Sequence, residues 1–180
     1  CMGEKIASSN ITMVDDPLRP RGFGTCLFDG ETLPVSRQSM IKNGVLQGWF
    51  LDLATAAQLG LTPTGHASRS LSGPPSPSPS NLFIEDGELT LEELIKDIES
   101  GFYVTEMMGS SVSLTTGDYS RGASGFWIEN GEITWPATEA TIAGNLKEMF
   151  MSLTPANDSD LRQSLSAPSL RVGSMMVAGS

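Results

Sequence analysis

Residues that bind metals or form disulfides are scarce in this sequence. It contains one histidine, His66, and two cysteines, Cys1 and Cys26. A zinc site needs three or four ligands in tetrahedral geometry, and a single histidine without a His-x3-His or Cys-x2-Cys partner cannot supply them. We therefore predict a structural role for His66 in its Thr-Gly-His turn. Two cysteines also exclude a disulfide framework, and this cysteine usage is typical of the reducing cytoplasm, where we expect the protein.

Positive charge and long apolar runs are scarce as well. The chain has 11 Lys and Arg residues against 21 Asp and Glu residues, a net charge of −10. Such a chain repels phosphate groups, so we expect neither a nucleic acid nor an anionic membrane as a direct partner. A transmembrane helix needs about 18 apolar residues in succession, and no such run occurs. Residues 1–5 lack the basic and apolar regions of a signal peptide. Because Cys1 precedes Met2, we expect the chain to be a piece of a longer protein.

Two Asn-Gly pairs predict tight hairpins, because both residues tolerate the positive φ of a type I′ turn. Asn43-Gly44 joins strands predicted at 35–42 and 45–51, and Asn130-Gly131 joins a strand at 125–130 to one that starts at Glu132. Further strands are predicted at 11–14, 81–84, 102–107, 111–115, 140–143 and 169–177. This strand content predicts an α+β fold, built mainly on an antiparallel β-sheet curled toward a barrel or sandwich.

Three short helices carry recognisable start and stop signals. Asp52 caps a helix at 53–59 that Gly60 ends. Thr90-Leu91-Glu92-Glu93 is a capping box for a helix that extends to residue 99. Asn145 caps a helix that extends to about residue 153. We interpret residues 1–180 as one domain, in which the Pro/Ser-rich residues 62–80 form a mobile loop because they have too little apolar surface to order themselves.

The densest polar group is Asp118-Tyr119-Ser120-Arg121. One interpretation is a contact with substrate or partner. The other is a turn in which the oxygens of Asp118 and Ser120 accept local backbone hydrogens and Arg121 pairs with a carboxylate. Catalytic patterns do not emerge elsewhere: the serines lack a Gly-x-Ser-x-Gly elbow, and the glycine-rich runs lack the lysine of a phosphate loop. We therefore predict no catalytic residue and no metal ligand in this chain.

Residues 116–133, TGDYSRGASGFWIENGEI, resemble the signature of a known family. Further matching blocks occur in order along the chain: LGL at 59–61, TGHA at 64–67, GFYVTEMMG at 101–109, TIAGNLK at 141–147 and VAG at 177–179. Together they resemble the PmbA (TldE) branch of the TldD/PmbA family, the "modulator of DNA gyrase" proteins related to peptidases. The resemblance covers nearly the whole chain from about residue 11 and implies a C-terminal domain.

The resemblance implies a partner for this chain. TldD-type members are zinc peptidases with a His-Glu-x3-His helix and a cysteine ligand near the C-terminus. Here His66 is the only histidine, and residues 157–180 contain no cysteine. PmbA-type members lack the metal motif and pair with TldD-type subunits. The implied role is a non-catalytic or catalysis-supporting subunit of a cytoplasmic zinc peptidase that cleaves unfolded peptides, with the zinc in the TldD-type partner and a possible homodimer when the chain is isolated.

Two other functions remain open at this point. The chain is alternatively a scaffold or adaptor domain that binds a peptide or partner and has no part in proteolysis. A third reading is an independent hydrolase that uses Ser120 or Asp118, although no nucleophile, base and orienting group can be assembled around them from the sequence.

Overall fold

Strands form most of the regular structure in the computed structural model, which describes residues 1–179. In chain order they are β1 (Met13–Asp15), β2 (Gln38–Lys42), β3 (Val45–Leu46), β4 (Ala67–Ser68), β5 (Ser76–Pro77), β6 (Leu82–Ile84), β7 (Ser100–Val112), β8 (Asp118–Glu129), β9 (Glu132–Asn145), β10 (Thr154–Pro155), β11 (Leu165–Ser166), β12 (Leu170–Arg171) and β13 (Met176–Ala178). The helices are α1 (Leu53–Leu59), α2 (Leu91–Ile95) and α3 (Leu146–Met151).

Two sheets contain most of these strands. The first has the order β11-β6-β1-β2-β3, and the second has the order β13-β9-β8-β7. Neighbouring strands are antiparallel, except that β11 runs parallel to β6. Both sheets are open, and none among residues 1–179 closes into a barrel. The predicted α+β fold, with mainly antiparallel sheet and three short helices, is confirmed.

Both predicted Asn-Gly turns are present with the backbone angles that a type I′ turn requires. Asn43 and Gly44 have φ of 50° and 79°, and Asn130 and Gly131 have φ of 52° and 81°. The first turn joins β2 to β3, and the second joins β8 to β9. The positive φ at each first position is tolerated because asparagine adopts the left-handed region more readily than most residues.

Side chains cap the three helices as predicted. Asp52 accepts a hydrogen bond from the Thr55 backbone at the start of α1, and Gly60 ends it with φ of 67°. Thr90 and Glu93 form the capping box of α2. This helix ends at Ile95 rather than at residue 99, because a turn from Ile98 to Ile95 leads the chain into β7.

The second sheet is longer than predicted. The strands expected at 102–107 and 111–115 are one strand, β7, which continues through a register shift between Met108 and Ser111. Likewise, β9 absorbs the short strand expected at 140–143. The strand expected at 169–177 is instead divided into β12 and β13, which pair with different partners.

Buried side chains lie on strands of both sheets and in the helices and connections between them. In the first sheet Val14 and Met40 are buried, and in the second Ile128 and Ile142 are buried. The segment 62–80, predicted to be a mobile loop, contains the short antiparallel pair β4–β5, with Ala67 opposite Pro77. Its mobility stays a prediction. Within it, residues 66–80 form what we call the 66–80 segment. Its two ends, His66 and Ser80, both contact one polar residue of the core, Asp15.

Candidate functional site

A fully buried carboxylate lies at the end of β1. Asp15 is 0% exposed. Its Oδ1 accepts the backbone N–H of Ser80 at 2.8 Å, and its Oδ2 accepts the Ser80 hydroxyl at 2.6 Å. Oδ2 also lies 3.2 Å from Nε2 of the buried His66. A buried charge is tolerated only when it is paired and hydrogen-bonded, and Asp15 meets that condition through both ends of the 66–80 segment.

His66 uses both of its ring nitrogens in this cluster. Nε2 faces Asp15, and Nδ1 lies 2.8 Å from the Thr64 hydroxyl. The carboxylate can only accept, so Nε2 carries a proton and, in the neutral ring, Nδ1 accepts from Thr64. Phe50 meets the imidazole edge-on, with ring centroids 4.9 Å apart. The ring is thus held by two hydrogen bonds and an aromatic contact.

Burial and hydrogen bonding have opposite effects on Asp15. Burial raises the pKa of the carboxyl group because it disfavours the charged form, but the hydrogen bonds from His66 and Ser80 together outweigh burial and leave the pKa of Asp15 below its ordinary value. The carboxylate is therefore ionised at neutral pH, and its negative charge is a fixed feature of the interior.

Aspartate, histidine and serine meet here, but not in a hydrolase arrangement. A nucleophilic serine must donate its hydroxyl proton to the histidine that acts as its base. The Ser80 hydroxyl donates to Asp15 instead. The Thr64 hydroxyl does reach the histidine, but it also accepts the Leu51 backbone N–H at 2.9 Å and so belongs to the backbone hydrogen-bonding network. The cluster connects loops and does not assemble a nucleophile.

Two further buried polar side chains hold residues 22–30, which we call the aromatic loop, against the 66–80 segment. Asp29 accepts the backbone N–H groups of Glu31, Leu33 and Ala67 at 2.9, 2.9 and 3.1 Å. Asn81 accepts the backbone N–H of Gly24 at 2.9 Å. A side chain at Gly24 would place its Cβ 2.1 Å from the Ser80 carbonyl oxygen, so only glycine allows this approach.

A cavity of about 620 Å³ lies between the aromatic loop and the 66–80 segment. Its wall is formed by Phe23, Gly24, Cys26, Phe28, Asp29, Gly30, Gly65, His66, Ala67, Ser68, Arg69, Ser78, Pro79, Ser80 and Ser164. The volume is in the range of sites that hold small ligands or short peptide segments. Aromatic rings, hydroxyl groups and a buried carboxylate therefore line an open, ligand-sized space.

The side chains of the described residues do not form a zinc site. Within residues 1–179, no three His, Cys, Asp or Glu side chains lie close enough together to hold a metal ion. Both nitrogens of the single histidine are hydrogen-bonded, and the carboxylates of Asp15 and Asp29 already accept from neighbouring groups. A structural or catalytic zinc site needs at least three side-chain atoms that are free to ligate the metal, which these residues do not offer.

The predicted contact residues 118–121 lie together at the start of β8, away from the cavity wall. The exposed Asp118 accepts the Thr116 hydroxyl at 2.6 Å. The Tyr119 hydroxyl lies 3.4 Å from the Met107 sulfur, and Arg121 Nε donates to the Gly109 carbonyl at 2.7 Å. The pairing of Arg121 with a carboxylate, suggested under the turn interpretation, is not found among the described residues.

Comparison with known proteins identifies the family. A family model described as the PmbA/TldA metallopeptidase C-terminal domain matches residues 1–179. The chain belongs to this family. The metalloprotease PmbA of Escherichia coli O157:H7 is 39% identical over 179 residues, which is 99% of this chain and 38% of that protein. TldE from Thermococcus kodakarensis has a TM-score of 0.87 and 29% identity, covering 99% of this chain and 42% of that one.

The other branch of the family is more distant. The metalloprotease TldD homologue of Haemophilus influenzae is 30% identical over 159 residues, which is 87% of this chain and 33% of that protein. The predicted resemblance to the PmbA/TldE branch is thus confirmed, and the chain spans about two fifths of the length of its PmbA and TldE relatives. None of the helices formed by residues 1–179 has the length and apolar character needed to cross a bilayer.

Sequence analysis found His66 but missed the residues that surround it in this PmbA-type domain. Asp15, Asp29, Ser80 and Asn81 lie in stretches that read as turns or strand ends. Asp29, Ser80 and Asn81 are small polar residues beside Gly, Pro or Ser, and Asp15 lies two positions before Pro17, which is also the ordinary signal of a loop. Only the structure shows that these loops meet around one cavity.

Proposed function

We propose that this PmbA/TldE-type domain supports a peptidase by offering the edge of its long sheet to an extended peptide, while the zinc is held by a TldD-type partner. The observation that supports this most directly is the open edge of β7. This strand is last in its sheet and pairs with β8 on one side only. A peptide that adds to such an edge gains main-chain hydrogen bonds independent of its sequence, as a peptidase for unfolded chains requires.

The length of the edge suits an extended ligand. β7 has 13 residues, which at 3.3 Å each extend over roughly 40 Å. Residues 105–109 are exposed, including the side chains of Met107 and Met108. Methionine adapts to differently shaped neighbours, so these side chains can accommodate varied peptides. Folded proteins cannot present an isolated extended strand in this way, which accounts for selectivity toward unfolded chains.

Residues Asp118, Tyr119, Ser120 and Arg121 belong to this proposal as the support of the edge and as a contact surface. Arg121 and Tyr119 both reach residues of β7, at Gly109 and Met107. They stabilise the outer half of β7 where its register shifts. The exposed Asp118 carboxylate at the same end of the sheet is available to a substrate or to the partner subunit.

Family membership and the donor set of residues 1–179 together support placing the zinc outside this chain. The PmbA-named relative is a metalloprotease by its name, whereas the described residues of this chain do not provide three free ligands. TldD homologues are among the relatives of the chain, so a TldD-type subunit is the natural candidate. We further propose that the complex acts in the cytoplasm and that the isolated protein forms a homodimer.

Reconstitution tests the subunit role. Cleavage of an unfolded test peptide is measured for the full-length protein that contains this chain, for its TldD-type partner and for their mixture, each with and without a chelator. Chelator-sensitive cleavage by the mixture alone is the expected result. Cleavage by the partner alone, unchanged when this protein is added, would favour the scaffold or adaptor function. Turnover by this protein alone would contradict the proposal, and loss of that turnover in Asp118→Ala would revive the hydrolase alternative.

Two neighbouring proline variants test the edge itself. The N–H groups of Met107 and Met108 point to opposite sides of β7, because successive residues of a strand alternate. One of the variants Met107→Pro and Met108→Pro therefore removes a hydrogen bond to β8 and lowers the melting temperature. The other removes only an unpaired donor of the open edge. The variant that faces the open edge is recognised by its unchanged melting temperature. We expect this variant to lose peptide turnover in the mixture; full turnover in it would argue against strand addition at β7.

A further inference from the structure

Exposed aromatic rings border the cavity between the aromatic loop and the 66–80 segment. Two phenylalanine rings of its wall, Phe23 and Phe28, are 83% and 61% exposed. Leu27, on the same loop but outside the cavity wall, is 77% exposed. Large apolar side chains grouped on one loop are a common mark of a binding surface. The two rings differ from Leu27 because they border a ligand-sized space.

The inner part of this cavity has negative character. Asp29 forms part of the wall, and Asp15 lies directly behind the wall residues His66 and Ser80. Both carboxylates are buried, so water and salt screen them less than surface charges. The thiol of Cys26 lies in the same wall: burial raises the pKa of Cys26, and the charges of Asp15 and Asp29 raise it further. A group inside the cavity therefore senses their potential.

We propose that this cavity binds the cationic side chain of an arginine or lysine within an extended peptide, with the cation at the rings of Phe23 and Phe28. The negative faces of aromatic rings attract cations, and an arginine guanidinium can also stack on them. Asp15 and Asp29 contribute through their field and need no direct contact, since internal donors already occupy them. Ser68 and Ser78 line the wall and supply hydroxyl groups for the peptide backbone.

The size of the cavity favours a peptide over a small free cation. A volume of about 620 Å³ exceeds what one side chain fills, so neighbouring backbone enters with it. The overall charge of −10 also favours a cationic peptide, because it attracts such peptides from a distance. This binding goes beyond the support of a peptidase, and it is measured without any turnover.

Arg69 allows the sign of the preferred ligand charge to be tested. Among the described residues of the cavity wall it carries the single positive charge, and its side chain is exposed. If the cavity binds a cation, Arg69→Gln removes a repulsion and tightens binding about twofold, as expected for screened charges several ångströms apart. If the cavity instead binds a carboxylate, the same substitution weakens binding.

The experiment compares three blocked pentapeptides, Ala-Ala-X-Ala-Ala, in which X is arginine, its neutral isostere citrulline, or glutamate. Their binding to the full-length protein is measured by calorimetry. We expect the arginine peptide to bind roughly tenfold more tightly than the citrulline peptide, and Phe28→Leu to reduce this preference several-fold. Leu27→Ala is the matched control on the same loop and should leave the preference unchanged.

Several outcomes would overturn the proposal. These are equal binding of the arginine and citrulline peptides, tighter binding of the glutamate peptide, weaker arginine binding in Arg69→Gln, or no binding of any peptide at millimolar concentration. Asp29 is left intact in all variants, because it holds three backbone N–H groups and its loss would displace the aromatic loop.

Discussion

The substitution Asp15→Asn tests whether one buried carboxylate holds the 66–80 segment on the first sheet. Asparagine has nearly the same shape and keeps one carbonyl oxygen, so the Ser80 backbone N–H retains its acceptor. In place of Oδ2 it presents an N–H2 group toward His66 and the Ser80 hydroxyl, both of which donate to Asp15. The Ser80 hydroxyl can rotate, and His66 can shift its ring proton to Nδ1, donate to the Thr64 hydroxyl and accept the new amide at Nε2, but every bond to the charged carboxylate becomes a bond to a neutral group.

The magnitude follows from the lost interactions. The three hydrogen bonds to the charged carboxylate contribute about 1.5–3 kcal/mol each, whereas hydrogen bonds to a neutral amide contribute about 0.5–1.5 kcal/mol each. We therefore expect Asp15→Asn to lower the free energy of unfolding by about 3 kcal/mol. In a domain of this size, 1 kcal/mol shifts the melting temperature by about 2–4 °C, so the expected decrease is about 6–12 °C.

The pH dependence has a definite sign. The pKa of Asp15 is lowered in the folded protein, so its ionised form stabilises the fold at every pH above the unfolded value of about 3.9. This contribution is lost as the pH falls through the folded pKa. The difference in stability between the wild type and Asp15→Asn should thus be constant near neutral pH and shrink below about pH 4.

The assay is thermal and urea unfolding of the full-length protein, followed by circular dichroism. Asp16→Asn is the matched control: this neighbouring carboxylate is partly exposed, accepts only the Leu18 backbone N–H and lies 4.0 Å from Arg37. Exposed interactions of this kind contribute less than about 1 kcal/mol. If Asp15→Asn melts at the same temperature as Asp16→Asn, the buried carboxylate does not hold the segment and the reasoning is refuted.

Two further predictions concern the 62–80 segment and the second sheet. Limited proteolysis should cut first between Ser68 and Ser80, because this Pro/Ser-rich part has little apolar surface; first cuts at residues 125–133 would contradict the domain interpretation. In β8, Gly125→Ala should lower the free energy of unfolding by about 3 kcal/mol, since the new Cβ would lie 1.9 Å from the Tyr103 carbonyl oxygen. The matched variant Gly122→Ala meets nothing nearer than 3.6 Å and should change it by less than about 0.5 kcal/mol, as measured by urea unfolding.

Local features were predictable because their causes lie within a few residues. The Asn43-Gly44 and Asn130-Gly131 turns depend on the φ preferences of those residues, and the capping box of α2 depends on Thr90 and Glu93 alone. The length of β7 was not predictable in the same way. Its continuation past Gly109 depends on pairing with β8, which extends the strand through an irregular stretch that the local pattern would end.

The polar cluster could not be predicted because its members are far apart in the chain. Asp15 meets residues 51 and 65 positions later, at His66 and Ser80. Nothing in the local sequence of Asp15-Asp16-Pro17 distinguishes the buried first aspartate from the partly exposed second one. The distinction arises only when β6 pairs beside β1 and brings Ser80 and Asn81 to the end of that strand.

The string that resembles the family signature and the residues that form the cavity are therefore separate. Residues 116–133 are distinctive largely for reasons of packing: Gly125 allows β7 and β8 to approach, and Gly131 turns the chain against the Lys96 carbonyl. Its polar members Asp118, Tyr119 and Arg121 bond mostly to neighbouring parts of the same sheet. The cavity is instead built from residues that read as ordinary loops, where a ligand can enter without breaking strand pairing. A search for ligand contacts in this domain should for that reason begin with Phe23, Phe28 and Arg69 and treat residues 116–133 as the frame of the edge at which we propose that a peptide binds.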